Sequence, residues 1–173
     1  MRFKGKFKVT NNDNKKFYLY NNSFYLENSI FWIGIDNFYW EKMTRKIWIH
    51  ISKQSKTIFD VGANTGIFSV LSKVYNNDAQ IIAFEPQPNI YNILKKNIEV
   101  NNFEVICEEY GLSNTIGNAK FYNYGEKTFT SRNTTAGSLN KSWRKDKQLS
   151  INIKLTSIDN YIENNNITEL DLL

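Results

Sequence analysis

Two rhythms of apolar residues alternate through the middle of this chain. Short continuous runs, Thr57-Ile58-Phe59 and Ile81-Ile82-Ala83-Phe84, read as strands buried on both faces. Between and after them apolar positions recur every three or four residues. Ile67, Val70, Leu71 and Val74 form one stripe, and Ile90, Leu94 and Ile98 form another. Gln87-Pro88 supplies a cap and a first-turn proline for the second of these helices, and Asn101-Asn102 ends it. Residues 104–110 read as a third strand, and Trp40, Met43, Ile47 and Ile51 predict a helix from residue 40 to about 53. Strand, helix, strand, helix, strand predicts an α/β fold: a mostly parallel, doubly wound, Rossmann-like sheet with right-handed crossovers and a ligand at the carboxyl ends of the strands.

The flanks follow other patterns. Phe17-Tyr18-Leu19-Tyr20 and Phe24-Tyr25-Leu26 stand either side of Asn21-Asn22, and the first 40 residues read as a small hairpin extension turning at that pair. Residues 41–173 form the cofactor-binding α/β part of a single domain. From Gly111 to Thr156 short extended pieces (119–124, 128–131 and 151–156) are separated by polar turns, which suggests an antiparallel or inserted section. Residues 157–162 start a short helix, and 167–173 begin another apolar strand. A central strand ending there would be an exposed apolar edge, so the chain reads as a domain incomplete at its C-terminus. A complete small protein with a short last strand is the alternative.

Composition narrows the classes. The 173 residues fit one domain, and 41% hydrophobic with 15% aromatic residues describe a globular chain. Net charge is +5, with the lysines spread out, which gives no argument for nucleic acid. The bias toward asparagine and lysine reads as genomic drift rather than chemistry. Cys107 is the single cysteine, so no internal disulfide and no thiol cluster for a metal can form, and a reducing cytoplasm is expected. No run approaches the roughly 20 apolar residues of a membrane span.

The chemistry concentrates after the first buried strand, in Asp60-Val61-Gly62-Ala63-Asn64-Thr65-Gly66. Gly62 and Gly66 allow a tight strand-to-helix turn and close approach of a ligand to the backbone. Asp60 speaks to the ligand's charge: a pyrophosphate would be repelled there, whereas the cationic sulfonium and amino groups of S-adenosylmethionine would be favoured. Glu85, in Phe84-Glu85-Pro86, follows Gly66 by 19 positions, near the spacing at which an acid meets a ribose diol. It fits either an adenosine-type cofactor or a dinucleotide.

These strings, together with Asn97, Gly111-Leu112-Ser113, Thr156-Ser157-Ile158-Asp159, residues 167–173, and the upstream Phe31-Trp32-Ile33-Gly34 and Glu41, resemble the FkbM family of S-adenosylmethionine-dependent methyltransferases. The resemblance runs from about residue 17 to the end. It implies a class I methyltransferase fold and methyl transfer to a hydroxyl on a sugar, glycan or small metabolite. By position it places the methionine part of the cofactor on Gly62, Ala63, Asn64, Thr65 and Gly66. Glu85 and the adjoining Pro86 would face the ribose, and residues 109–112, Leu112 among them, the adenine. The family pattern continues past Leu173, and this sequence does not.

No side chain is singled out as the base that takes the hydroxyl proton. His50, the single histidine, reads as a helix surface position. Glu41 reads equally as a group near the transferred methyl or as an exposed helix-start glutamate. Arg132, Trp143, Arg144, Lys145 and Lys147 read as a solvated loop, or as a surface for an acidic or glycan acceptor. Cys107 reads as a small strand residue. Two other functions stay open: a cofactor-binding but inactive relative, and a nucleotide-dependent oxidoreductase, against which Asp60 and the absence of a glycine at Asn64 weigh.

Overall fold

A computed structural model describes residues 3–124, 137–143 and 148–173. The chain opens with β1 (Lys4–Thr10) and β2 (Lys16–Asn22), an antiparallel pair in register from Lys4↔Asn22 to Thr10↔Lys16. The hairpin is present, but its turn lies at residues 11–15, where Lys15 N donates to Asn11 Oδ1 and Asn14 takes a left-handed φ of 57°. Asn21 also makes a turn, of a different kind. Its Oδ1 accepts from Ser23 N at 2.7 Å, and Ser23, at φ 66°, redirects the chain into a helix rather than a returning strand. That helix, α1 (Tyr25–Ile33), replaces the second aromatic run of the expected hairpin and buries Leu26, Glu27 and Ile30 on one face.

Next come α2 (Lys42–Ser52), β3 (Thr57–Val61), α3 (Ile67–Tyr75), β4 (Gln80–Phe84) and α4 (Pro88–Glu99), as the periodicities predict. The expected third strand is two. β5 (Ile106–Glu108) pairs in parallel with β4, whereas β6 (Tyr110–Leu112) leaves that sheet and pairs in parallel with β9 (Gln148–Thr156). Between them lie β7 (Gly117–Tyr124), antiparallel to β9, and the short β8 (Gly137–Ser138). α5 (Ile158–Asn164) follows, with Ser157 as its N-cap accepting from Asn160 N at 3.1 Å. The expected last strand is a single parallel bridge, Leu172 to Ile58, with Phe59 N donating to Leu172 O and Asp171 N to Thr57 O. Residues 128–131 lie outside the described residues.

The parallel strands β3 and β4 are buried along nearly their whole length, which explains their apolar runs. Phe59, Ile82 and Phe84 pack on Tyr161 of α5. On the other side Ala83 joins a core built from α3, α4 and the hairpin, where Phe7, Val9, Phe17 and Leu19 meet Ala63, Ile67 and Leu94. The hairpin is therefore packed into the same core as the strand-to-helix loop. α2 departs from its sequence stripe: Met43 and Ile47 are exposed, and the helix buries Arg45 and Ser52.

The hairpin is tied to α4 by a match of periods. Tyr18 N and Tyr20 N, two residues apart on β2, donate to Asn101 Oδ1 and Asn97 Oδ1, four residues apart along α4 and its last turn. Two strand residues rise about 6.8 Å and four helical residues about 6 Å, so the asparagines serve as the missing strand neighbour. Asn101 Nδ2 also returns a bond to Tyr18 O. At these positions asparagine has a structural role.

Candidate cofactor site

Asp60 is the penultimate residue of β3, and beyond Val61 the chain turns through Gly62 (φ 75°), Asn64 (φ 53°) and Gly66 (φ 84°) into α3. The turn is held from below, since Gly62 N and Ala63 N both donate to Phe84 O, at 3.0 and 2.9 Å, and Gly66 N closes back on Ala63 O. Gly66 is also constrained by packing: a Cβ there would lie 2.4 Å from Leu94 Cδ1, which would have to shift. At Gly62 a Cβ would meet nothing within 4 Å, because the residue faces open space.

The two strand-end acids hold the turn. Asp60 Oδ2 accepts from Ser69 N at 3.0 Å and from Ser69 Oγ at 2.6 Å, so the carboxylate serves free amide groups in the first turn of α3. Burial lifts its pKa to about 6 against those bonds, and the charge of Glu41 adds to the rise. Glu85 bridges the two crossovers: Oε2 accepts from Asn64 N at 3.0 Å and Oε1 from Gln87 N at 2.9 Å. Burial raises its pKa to about 7, opposed by these bonds and assisted by Asp60.

A cavity of about 600 Å³ opens over the turn at the carboxyl ends of β3 and β4. Asp60, Gly62, Ala63, Asn64, Thr65, Glu85, Pro86 and Leu112 all line it, and of the expected cofactor residues Gly66 alone does not, being tucked behind against Leu94. Sequence reasoning did not find the other walls, Trp40, Thr44 and Trp48 on one side and Phe121, Ile153 and Leu155 on the other. They come from elements remote in sequence, and no local motif marks them. Glu41 lines the cavity and is also solvent-exposed at the start of α2. His50 is exposed on α2. Cys107 sits in β5 with its thiol pKa pushed by burial to about 11. Arg132, Arg144, Lys145, Lys147 and the side chain of Trp143 lie outside the described residues.

One residue escaped sequence reasoning that a signal could have flagged. Glu27 interrupts the buried face of α1, between Leu26 and Ile30, and is fully buried with neither carboxylate oxygen hydrogen-bonded. Burial raises its pKa to about 7, the neighbouring Thr65 hydroxyl drawing it down. Thr65 Oγ1 and Asn64 Oδ1 are likewise buried without partners.

A glycine turn between a parallel strand and a helix, with an acid ending each of two neighbouring strands and a cavity above, defines a nucleoside-type cofactor domain of the α/β class. The pattern of the methyltransferase FkbM domain matches residues 60–173, and the chain belongs to that family of methyltransferases. It is similar to the methyltransferase sdnD of Sordaria araneosa, 40% identical over 62 residues, which is 35% of this chain and 24% of that protein. The chain thus spans about a quarter of the length of that curated relative. Among solved structures, Pyrococcus abyssi tRNA (uracil-54, C5)-methyltransferase in complex with S-adenosyl-L-homocysteine is 16% identical with a TM-score of 0.41, over 61% of this chain and 24% of that one. M. jannaschii TYW2 in complex with AdoMet is 17% identical with a TM-score of 0.41, over 67% and 54%.

The methyl donor of such enzymes is S-adenosylmethionine, and the residues present fit it. The cavity wall carries three carboxylates, Glu41, Asp60 and Glu85, and among the described residues no lysine, arginine or histidine, in a chain whose net charge is +5. That wall suits a cationic ligand and opposes a pyrophosphate. The volume falls within the range of about 300–1,000 Å³ usual for such ligands. The orphaned Asn64 Oδ1 and Thr65 Oγ1 are acceptors beside the turn.

Proposed function

We propose that this chain binds S-adenosylmethionine over the Gly62 turn and directs its methyl group to a hydroxyl of a sugar, glycan or small metabolite. The supporting observation is the charge of the wall, three acids and, among the described residues, no base, in a basic protein. In this reading the turn from Gly62 to Thr65 receives the methionine part, with Asn64 Oδ1 and Thr65 Oγ1 as acceptors for an ammonium group. Glu85, with its oxygens already fixed by Asn64 N and Gln87 N, presents its remaining lone pairs to a ribose diol. Tyr110 and Leu112 form an apolar wall for the adenine. The bound donor supplies an electrophilic methyl on a cationic sulfur. The protein's share is to align an acceptor oxygen with it and to keep water out, which the tryptophans of the wall favour.

The acceptor class rests on the family resemblance. Intracellular, cytoplasmic action fits the single half-buried thiol. Titration calorimetry tests the cofactor half: S-adenosylmethionine binds, NAD does not, and Asp60→Asn, which keeps acceptors for Ser69 while removing the charge, weakens binding about tenfold. Binding of NAD instead would sink the reading. Methyl transfer from labelled donor to a panel of saccharides and phenols tests the acceptor half, and transfer confined to nitrogen acceptors would overturn it.

A further inference from the structure

Of the three carboxylates in the wall, two are committed to the protein. Asp60 holds Ser69, and Glu85 holds two backbone amides. Glu41 is the N-cap of α2 yet makes no side-chain cap bond, and it sits in the left-handed region at φ 48°, ψ 31°. A glutamate adopts that backbone only where its surroundings hold it. The holder is Arg45, buried one turn into α2, whose guanidinium donates to Ile35 O at 3.0 Å, Phe38 O at 2.6 Å and Trp40 O. Three loop carbonyls are thereby drawn onto one cation, and the loop delivers Glu41 to the cavity.

Its place there is particular. Glu41 and Thr44 line the inner cavity and also an open outer depression of about 490 Å³, shared with Tyr39, Lys42, Met43 and Lys46. They therefore form a partition between the two spaces. Resting on the cofactor reading above, a methyl group in transit must point at such a partition, because its acceptor enters from outside.

We infer that Glu41 is a specificity-determining carboxylate of the cofactor site, facing the sulfonium end of S-adenosylmethionine and favouring the charged donor over neutral S-adenosylhomocysteine. The electrostatics agree: the charge of Glu41 adds to the rise in the Asp60 pKa, an opposition that a bound cation relieves. The spent donor has no sulfonium charge, so the same carboxylate favours its release. At a partly exposed site the attraction is screened, which sets the discrimination at about five- to tenfold.

Calorimetry with both ligands on the full chain tests this without any acceptor. Glu41→Gln weakens S-adenosylmethionine about five- to tenfold and changes S-adenosylhomocysteine by less than about twofold, at an unchanged melting temperature, whereas Glu41→Asp keeps most of the preference. In the unsubstituted protein, raising NaCl from about 0.05 to 0.5 M narrows the preference, a readout that survives if the glutamine variant does not fold. Equal weakening of both ligands, an unchanged ratio, or a salt-independent ratio would overturn the inference. Failure of the unsubstituted chain to bind either ligand would remove the cofactor reading and the inference together, and binding with an unaltered ratio removes the inference alone.

Discussion

Gly62 and Gly66 look alike in the sequence and do different work. Both need positive φ, which costs an L-residue about 1–2 kcal/mol, but only Gly66 also meets a neighbour, Leu94 Cδ1, where a Cβ would stand. Gly66→Ala is therefore expected to lower stability by about 2–4 kcal/mol, strain and overpacking together. Gly62→Ala costs about 1 kcal/mol of stability, yet it puts a methyl into open space at the cavity wall and lowers cofactor affinity by more than Gly66→Ala does relative to its stability loss. Chemical denaturation and calorimetry on the two variants separate these outcomes, and the reverse ranking would contradict the geometry. The sequence shows the requirement for glycine at both positions, because positive φ belongs to the turn type. It does not show which glycine faces ligand and which faces protein, since Leu94 is 28 positions away from Gly66 and reaches it only through α4 packing on α3.

The elements were legible in proportion to how local their causes are. β3, α3, β4 and α4 follow from apolar runs and stripes that each segment carries within itself. α1 did not, because a turn residue at Asn21 is compatible with either a returning strand or a helix, and the choice falls to the burial of Leu26 and Ile30 against β2 and α3. Residues 104–112 divide into β5 and β6 because the second half is claimed by β9, more than 40 residues downstream. Asn97 shows how elements are joined to the site: Oδ1 accepts from Tyr20 N at 2.6 Å and Nδ2 donates to Thr65 O at 2.7 Å, so one buried amide ties the hairpin to the cofactor turn. Asn97→Ala leaves both backbone groups without partners and should cost about 2–4 kcal/mol. It should also weaken S-adenosylmethionine binding, through the loosened Thr65, and speed amide exchange in the turn. Asn101→Ala, which removes bonds to Tyr18 of the hairpin and to Asn97 O but none to the cofactor turn, should lower the melting point less and leave affinity unchanged. Equal affinity losses in the two would refute the link.

Among the described residues, three carboxyls are buried with raised pKa values: Glu27 and Glu85 at about 7 and Asp60 at about 6. The sign is the reverse of a salt-bridged acid. The folded state holds protons that the unfolded chain releases above about pH 4 to 4.5, so these groups stabilise the protein in acid, and that stability is lost as pH rises to about 7. Asp171, whose pKa is held down by Thr57 N and Lys56 N, acts oppositely and stabilises above its unfolded pKa. Glu27→Gln isolates the buried contribution. At pH 8 it should raise stability by about 3 kcal/mol, and at pH 4 it should change little, as read from thermal melts across that range. Destabilisation at pH 8 would mean that the carboxylate has a partner. The sequence by itself determined the α/β alternation, the glycine turn after Asp60 and the acid at Glu85, because each is a local backbone or spacing requirement written in contiguous residues. The tertiary structure alone decided that Glu27 lies buried beside Thr65, that Asn97 bolts the hairpin to the turn, and that Glu41 stands in the wall. Those facts depend on packing between segments tens of residues apart, whose relative placement no local period encodes.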